Sequence, residues 1–381
     1  MGKHILFTAR DIGAAQQIKY IIKAFDKSGF KISVIASGVA YKFLIQEGLN
    51  PLLFSIDGDV HFLDTNASES KIELLIKTSY KIIKRIYPDA VFCGLTTYGY
   101  GIDEGVLYCA SKNRLNIPSF QFLDTWGTFN HLRDGYPDIY FAIDRASVRL
   151  GIMGAKAPVE VVGSPKHVAY SDISIALLRK KTREKLNLGL NGKLVGYFGQ
   201  DPEAPGQEYN FMKLIETINS SVLDGVKCKL LVRMHPAYRD RYERFWRFLD
   251  GMKIDTVDVS DGFSVEEILC ACDLVTTCFS TTAADHAFLS RFSSEPIGVV
   301  MYLLCGDDIK DYMVKNFGYW KIPILEDGIG YFAEYHDQIP NLIEHILNDA
   351  YATLNYFKST KSLIIDNPSK RIIDIVSSFI R

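Results

Sequence analysis

The stretch KHILFTARDIGAA, Lys3–Ala15, decides the fold class of this chain. A short apolar run ends in a turn of small residues, and a helical pattern with apolar residues three and four positions apart follows at Ala14–Lys27. The same unit, a β-rich run and then a longer helical pattern, recurs from end to end. This alternation is typical of parallel sheets whose strands are joined by crossover helices, so the sequence predicts an α/β fold.

The predicted elements form two similar series. The predicted strands are Lys3–Thr8, Lys31–Ala36, Ala90–Cys93, Ser119–Leu123, Ile139–Ala142, Val159–Gly163, Leu194–Phe198, Lys229–Met234, Thr256–Asp258, Leu274–Thr277 and Ile297–Tyr302. The predicted helices are Ala14–Lys27, Tyr41–Glu47, Glu69–Ile86, Asp103–Asn113, Tyr170–Leu186, Asn210–Leu223, Arg239–Met252, Val265–Ala271 and Thr282–Ser290. Each series predicts one doubly wound, Rossmann-like domain.

The length of 381 residues exceeds what one hydrophobic core usually supports, so two domains are expected. We predict an N-terminal domain at 1–160 and a C-terminal domain at 161–340. The helical patterns at 341–381 are expected to pack back toward the N-terminal domain. Because ligands of open α/β sheets bind at the carboxyl ends of the strands, the site is expected in a cleft between the two domains.

Charge and motifs exclude several classes of protein. Lys and Arg number 43 against 45 Asp and Glu, which disfavours nucleic acid as the main partner. The chain contains no G-x-G-x-x-G fingerprint and no lysine-bearing phosphate loop, so nicotinamide oxidoreductases and P-loop enzymes are disfavoured as well.

The cysteines and the lengths of the apolar runs indicate the cellular compartment of the protein. Seven cysteines without paired spacing predict reduced thiols, and the longest apolar run, Pro296–Cys305, is about half of what a spanning helix needs. We expect a cytoplasmic protein that is at most peripheral to the inner membrane. The helix between Lys71 and Arg85 carries five basic residues, which could contact anionic lipid, although a solvated helix face explains them more simply.

Acidic residues follow the predicted strands of the first half. Asp11 either caps a helix or contacts an acceptor substrate. Asp103 and Glu104 open a helix after a glycine-rich loop, where they could deprotonate a hydroxyl or simply complement the helix dipole. Asp124 is a rival catalytic base, and Trp126 is either a sugar-binding platform or a loop anchor.

Arg, His and Pro end a strand of the second half. Pro236 stops the strand and restrains His235 to an extended conformation that directs its imidazole to the predicted cleft. Arg233 lies on the same side two residues earlier, so one anion could meet both side chains.

Three hydroxyls open a later helix of the second half. Ser280, Thr281 and Thr282 are suited to bind phosphate together with the helix amides, whereas capping of the helix needs only one of them. Gly199 and Gln200 follow the first strand of this half, and they either contact the same ligand or form a turn.

The order of these features resembles bacterial glycosyltransferases of the two-Rossmann (GT-B) type. An acid-acid-Gly triplet at Asp103–Gly105, the strand-ending His235-Pro236 and the cluster Ser280–Thr282 look like motifs of sialyltransferases and polysialyltransferases. Kdo transferases and CDP-polyol transferases carry related His-Pro arrangements. The match in layout covers most of the chain.

The resemblance implies an inverting, metal-independent transfer of a sugar, expected to be a CMP-activated nonulosonic acid or Kdo, to a hydroxyl of a glycan or glycoconjugate. It assigns the acid role to Asp103 and Glu104, binding of the cytidine monophosphate to His235 and Pro236, and binding of its phosphate to Ser280–Thr282. In catalysis, the resemblance implies that His235 or Arg233 neutralises the departing phosphate together with the hydroxyl cluster. No separate cofactor is implied beyond the nucleotide-sugar. The expected context is synthesis of bacterial surface polysaccharide.

Two alternatives share this plan. A UDP-N-acetylglucosamine 2-epimerase has the same twin-domain fold and also uses carboxylates and histidine, so fold alone does not discriminate. A non-catalytic nucleotide-sugar binding protein is the other alternative. The acceptor and the oligomeric state are left open by the sequence.

Overall fold

The computed structural model describes residues 2–96, 98–126, 129–151, 155–189, 192–220, 228–235, 241–363 and 367–380. The chain divides into two compact units, one formed by Met1–Val168 with Ile365–Arg381 and the other by Ala169–Ile364. Each unit holds one parallel β-sheet with helices between successive strands. The predicted class, α/β with two Rossmann-like domains, is confirmed.

The first unit begins with strands and helices in strict alternation. Its elements are β1 (His4–Ala9), α1 (Ile12–Lys27), β2 (Lys31–Ala36), α2 (Gly38–Gln46), β3 (Leu52–Leu53), α3 (Glu69–Ile86), β4 (Ala90–Cys93), α4 (Ile102–Ala110), β5 (Ser119–Leu123), β6 (Ile139–Ala142), α5 (Arg145–Gly151), β7 (Val159–Val161) and α6 (Pro165–Val168).

The second unit opens with a 3-10 helix, Ala169–Asp172. Its further elements are α7 (Ile175–Lys185), β8 (Lys193–Phe198), α8 (Gln207–Asn219), β9 (Cys228–Arg233), α9 (Glu243–Arg247), β10 (Asp255–Asp258), α10 (Val265–Ala271), β11 (Leu274–Thr277), α11 (Thr282–Phe292), β12 (Val299–Leu303), α12 (Asp307–Phe317), α13 (Pro323–Glu326), β13 (Tyr331–Ala333), α14 (Gln338–Asn348) and α15 (Ala350–Thr360). The last helix, α16 (Pro368–Phe379), returns to the first unit.

The two sheets repeat one topology. The first runs β3-β2-β1-β4-β5-β6-β7 and the second β10-β9-β8-β11-β12-β13, and their strand pairs are parallel. In each sheet the chain starts in the middle, builds outward on one side and then crosses to the other. The crossing falls between β1 and β4 in the first unit and between β8 and β11 in the second. These crossings are the topological switch points at which such sheets bind ligands.

The first sheet buries both of its faces, as a parallel sheet must. Alternate residues of β1 separate the two cores, because side chains of a strand point to opposite faces in turn. Ile5 and Phe7 pack in the core that holds α1, α2 and α16, whereas Leu6 packs in the core that holds α3 and α4.

The structure differs from the sequence-based elements at several places. The predicted helix Tyr170–Leu186 is divided into the 3-10 helix and α7, and the predicted helix Arg239–Met252 is represented among the described residues by α9. The predicted domain boundary after residue 160 falls inside β7, because the first sheet includes that strand. The predicted tail 341–381 is divided between the two units. Its last helix, α16, belongs to the first unit, whereas α15 and the part of α14 within the tail belong to the second unit.

Within the part of the chain that the structure describes, no helix combines the length and the apolar character needed to cross a membrane. All seven cysteines carry free thiols, and six of them are buried.

Candidate functional site

Among the described residues, the predicted site residues lie at the ends of strands, in the loops that follow them or in the first turn of the next helix. In the first unit they follow β1, β4 and β5, and in the second they lie at or after the ends of β8, β9 and β11.

Asp103, the second residue of α4, is completely buried. The Thr8 hydroxyl of β1 donates a hydrogen bond to Asp103 Oδ1 at 2.5 Å, so this side chain joins α4 to the middle of the sheet. Burial raises the pKa of Asp103 to about 7, and the neighbouring Glu104 carboxylate acts in the same direction. Asp103 therefore keeps its proton at pH values well above those at which an exposed Asp loses it. Its side chain, however, has no access to solvent.

Glu104 is also completely buried, and its two oxygens are occupied. The Gly101 amide donates to Oε2 at 2.7 Å, and Asn130 Nδ2 donates to Oε1 at 3.0 Å. The Arg10 guanidinium lies 3.4 Å from Oε1. Burial raises the pKa of Glu104 while Arg10 opposes the rise. These contacts make Glu104 the anchor of a buried network.

Arg10 and Asn130 hold the loop that follows β4. Arg10 Nη2 donates to the carbonyls of Tyr98 at 2.9 Å and Gly99 at 3.1 Å. Asn130 Nδ2 donates to the carbonyls of Thr96 at 2.8 Å and Gly99 at 2.7 Å. Together with Glu104, these two side chains connect the loops that follow β1, β4 and β5. Neither residue was predicted from the sequence; the position of Arg10 directly after β1 was the available signal.

Asp124 differs from the other two acids because it is only half-buried. It follows β5, and its carboxylate lies against Gly13 at the start of α1, where a Cβ atom would collide with it. Desolvation raises the pKa of Asp124 to about 7, with a further contribution from the negative charge of Asp11. Of the three predicted acids, Asp124 is the one with a near-neutral pKa on a residue that is not fully buried.

The two residues predicted to bind an acceptor have structural contacts. Asp11 is the N-cap of α1, and its Oδ1 accepts a hydrogen bond from the Ile12 amide at 2.5 Å. Trp126 is 4% exposed, and its indole Nε1 donates to Asp144 Oδ2 at 2.8 Å. The buried indole has the geometry of a loop anchor, the alternative to a sugar platform.

In the second unit, the hydroxyl cluster is arranged around Ser280. Ser280 Oγ accepts a hydrogen bond from the Thr282 amide at 3.2 Å and lies 3.0 Å from Thr282 Oγ1. Thr281 is exposed beside them. The Ser280 hydroxyl is thus engaged with the first residue of α11, and the hydroxyl of Thr281, the N-cap, forms no cap hydrogen bond and stays on the surface, where helix amides favour an anion.

Gln200 connects the loops that follow β8 and β11. Its backbone amide donates to Gln207 Oε1 at 2.8 Å, and its side chain contacts the Thr277 hydroxyl. In the amide orientation that satisfies both ends of the side chain, its oxygen accepts hydrogen bonds from the amides of Ser280 at 2.9 Å and Phe279 at 3.2 Å. Gln200 is therefore joined to Ser280 at the switch point of the second sheet.

Gly199 allows a close approach of loops at this point. A Cβ atom on Gly199 would lie 2.9 Å from Tyr242 Oη and 3.2 Å from Met234 Sδ. Met234 immediately precedes His235, so the absence of a side chain at Gly199 keeps the ends of β8 and β9 close together.

Arg233 holds the loop that follows β10. Its Nη1 donates to the carbonyls of Val259 at 2.9 Å and Phe263 at 3.3 Å. These contacts direct the guanidinium along the carboxyl edge of the sheet toward β10. His235, two residues on, is half-buried in the loop after β9, and Pro236 lies outside the described residues.

No protein-family model matches the sequence. No curated protein matches it either.

Solved structures do match over nearly the whole chain. The structure of Staphylococcus aureus MnaA with UDP has a TM-score of 0.68 at 13% identity, with 99% of this chain and 97% of that chain covered. The UDP-GlcNAc 2-epimerase of Neisseria meningitidis bound to UDP-GlcNAc has a TM-score of 0.67 at 12% identity, with 98% and 100% covered. A glycosyltransferase from Rickettsia africae has a TM-score of 0.63 at 12% identity, with 100% and 99% covered. The chain shares the two-Rossmann fold of these proteins.

Proposed function

We propose that this protein is an enzyme that binds a UDP-activated amino sugar and epimerises it at a carbon of the sugar ring. Asp124 carries the proposal, because it is a half-buried residue whose carboxyl group has a pKa near neutrality beside the switch point of a Rossmann-like sheet. UDP replaces the CMP expected from the motif resemblance, since the MnaA and Neisseria structures were solved with UDP and UDP-GlcNAc.

Inversion of the carbon next to the anomeric carbon balances as elimination and re-addition. A base removes the ring proton while the C–O bond to UDP breaks, which leaves a carbon–carbon double bond and free UDP. A proton then returns to the other face of the inverted carbon as the C–O bond to UDP forms again. A carboxyl group with a pKa of about 7 is present in both protonation states at neutral pH, so it can serve in either transfer. The Asp124 carboxylate lies against Gly13 in the N-terminal turn of α1. Asp103 and Glu104, which are buried, are assigned the role of holding the surrounding loops rather than of contacting the substrate.

We assign nucleotide binding to the second unit. The loops after β8 and β11 place Gly199, Gln200 and the cluster Ser280–Thr282 at its switch point, where amides and hydroxyls can bind a diphosphate. The predicted contacts of Arg233, His235 and Pro236 with the nucleotide are retained as part of the proposal. The cleft that would bring this nucleotide to Asp124 stays a prediction.

Sugar transfer to an acceptor hydroxyl is the second candidate. It is favoured by the finding that Asp124 is the one predicted acid that is not fully buried, because transfer needs a single base to deprotonate the acceptor. The Rickettsia structure, a glycosyltransferase, has the same fold. In this case Asp124 would be the base, and Asp11 would lie at the acceptor side.

The two candidates differ in what happens to hydrogen on the sugar. We would incubate the purified protein with UDP-GlcNAc in D2O and follow the sugar by NMR and mass spectrometry. Epimerisation through proton removal incorporates solvent deuterium at the inverted carbon and produces a second UDP-sugar. Transfer leaves the ring hydrogens unlabelled and releases UDP only when an acceptor is added.

Two variants connect the outcome to Asp124. Asp124→Asn should abolish deuterium incorporation, whereas Asp26→Asn, which alters an exposed acid of α1, should leave it unchanged. Unlabelled sugar with acceptor-dependent release of UDP would replace epimerisation by transfer. Turnover of a CMP-sugar but not of UDP-sugars would overturn the donor assignment.

A further inference from the structure

Helix α3 presents two faces of opposite character. Leu75, Ser79 and Ile83 are buried on the face that packs against α4. Lys77, Lys81, Lys84 and Arg85 are exposed. Their spacing of four, seven and eight residues places them in one outward stripe, here called the basic stripe, on the side of the helix that faces solvent.

The basic stripe has no acidic counterpart among the described contacts. The two acids of α3, Glu69 and Glu73, pair instead with Arg133. The Lys84 ammonium group lies 5.6 Å from the centre of the Tyr80 ring. Lys77, Lys81 and Arg85 form no ion pair among the described residues. Like charges four residues apart weaken a helix, so Lys77 and Lys81 do not stabilise α3, whereas Lys84 and Arg85 in its last turn complement the helix dipole. The stripe thus concentrates four positive charges on a chain of net charge −2.

Apolar side chains lie among these charges. Leu74 is 38% exposed, Tyr80 is 44% exposed and Tyr87, which follows the helix, is 83% exposed. Tyrosine and lysine side chains side by side are typical of surfaces at the boundary between water and lipid, because each has an apolar stem and a polar end.

The shape of the stripe favours a flat partner. The four charges lie on the outer surface of one helix, within about 12 Å of its length at 1.5 Å per residue. A straight outward ridge can place all of them on a plane at once, and basic residues near an anionic bilayer each strengthen the attraction. We propose that the basic stripe of α3, with Leu74, Tyr80 and Tyr87, docks the protein on an anionic lipid surface. This inference is independent of the proposed reaction.

The test is co-sedimentation of the protein with vesicles at 0.1 M and 0.5 M salt. Vesicles of phosphatidylcholine with 30% phosphatidylglycerol should bind the wild type at least tenfold more strongly than vesicles of phosphatidylcholine alone. Raising the salt should remove most of this difference, because exposed charges are screened. Equal binding to both kinds of vesicle, or none, at 0.1 M salt would overturn the proposal without any variant.

A variant set then locates the surface. K77Q/K81Q/K84Q/R85Q should weaken binding to the anionic vesicles at least tenfold. The control K27Q/K42Q/K180Q/K181Q removes four exposed lysines that form no ion pair among the described contacts, and it should bind nearly as the wild type does. Equal losses in both sets would show attraction by overall charge and refute the stripe. Binding to an acidic polysaccharide such as heparin, lost in the first set without any vesicle binding, would assign the stripe to a glycan instead.

Discussion

The two switch points of this molecule are built from different chemistry. In the first unit, the loops after β1, β4 and β5 are joined by a charged network in which Arg10 lies against the buried Glu104. In the second, the loops after β8 and β11 are joined by the uncharged side chain of Gln200, which bonds to the backbone amide of Ser280, while the Ser280 hydroxyl holds the start of α11. The same topology therefore supports two local environments with different uses.

The difference indicates a division of labour. Burial of acids raises their pKa toward neutrality, which under the proposed function suits proton transfer by the half-buried Asp124 of the first unit. Amides and hydroxyls at a helix start attract a phosphate without needing a proton, which suits nucleotide binding by the second unit. Variants in either unit should therefore separate chemistry from binding.

The largest expected effect comes from Asp124→Asn. Removal of the proposed acid and base should lower kcat at least about 100-fold, while the Kd for UDP measured by calorimetry should change less than about twofold. This pattern holds for either candidate reaction, because both use Asp124 for proton transfer. A parallel loss of UDP affinity would contradict the division between the units.

Gly101→Ala tests whether the charged network is rigid. A Cβ atom at Gly101 would lie 2.6 Å from Arg10 Cδ and 2.7 Å from Arg10 Nε. Because Arg10 is held by Glu104 and by two carbonyls, it has little room to move, and we expect a loss of about 1–3 kcal/mol in the free energy of unfolding. Gly189→Ala is the control, since no atom lies within 4 Å of the new methyl group. Equal melting temperatures of the two variants would contradict the prediction.

Asp103→Asn should flatten the dependence of stability on pH. The pKa of Asp103 is about 7 in the folded protein and about 4 when unfolded, so the folded state holds the proton more tightly. The resulting stabilisation is complete below pH 4 and is lost as the pH rises through 7. Thermal unfolding between pH 5 and 8 should show a decline in the wild type that is shallower in Asp103→Asn and unchanged in Asp26→Asn. An identical slope in all three would show that Asp103 ionises normally.

The sequence predicts the central strands and two of the four edge strands. The bounds Ala90–Cys93, Ser119–Leu123 and Leu274–Thr277 agree with β4, β5 and β11, because buried parallel strands are continuous apolar runs between turns. The edge strands β7 and β10 were predicted within two residues of their bounds, whereas the edge strands β3 and β13 were not predicted.

The candidate site could be predicted in part, because some of its residues are marked by their type and by their position after a strand. Acids and hydroxyls that follow strands are visible in the sequence, and this pattern predicts Asp103, Asp124 and Ser280 as site residues. Which acid is accessible depends on packing, and the roles of Arg10 and Asn130 depend on carbonyls 88 and 34 residues away in the chain. Contacts of this range leave no local spacing in the sequence.

Ser280→Ala should have the smallest effect, and it tests the uncharged network of the second unit. The change removes the acceptor for the Thr282 amide and a hydroxyl at the start of α11, so UDP should bind roughly three- to tenfold more weakly, as measured by calorimetry. Asp349→Ala is the matched control, because Asp349 caps α15 of the same unit through the Tyr351 amide. Both variants should lose a similar amount of thermal stability, but only Ser280→Ala should lose affinity. An equal loss of affinity in both would assign the effect to weakened helices, and unchanged affinity in Ser280→Ala would remove this hydroxyl from the nucleotide site.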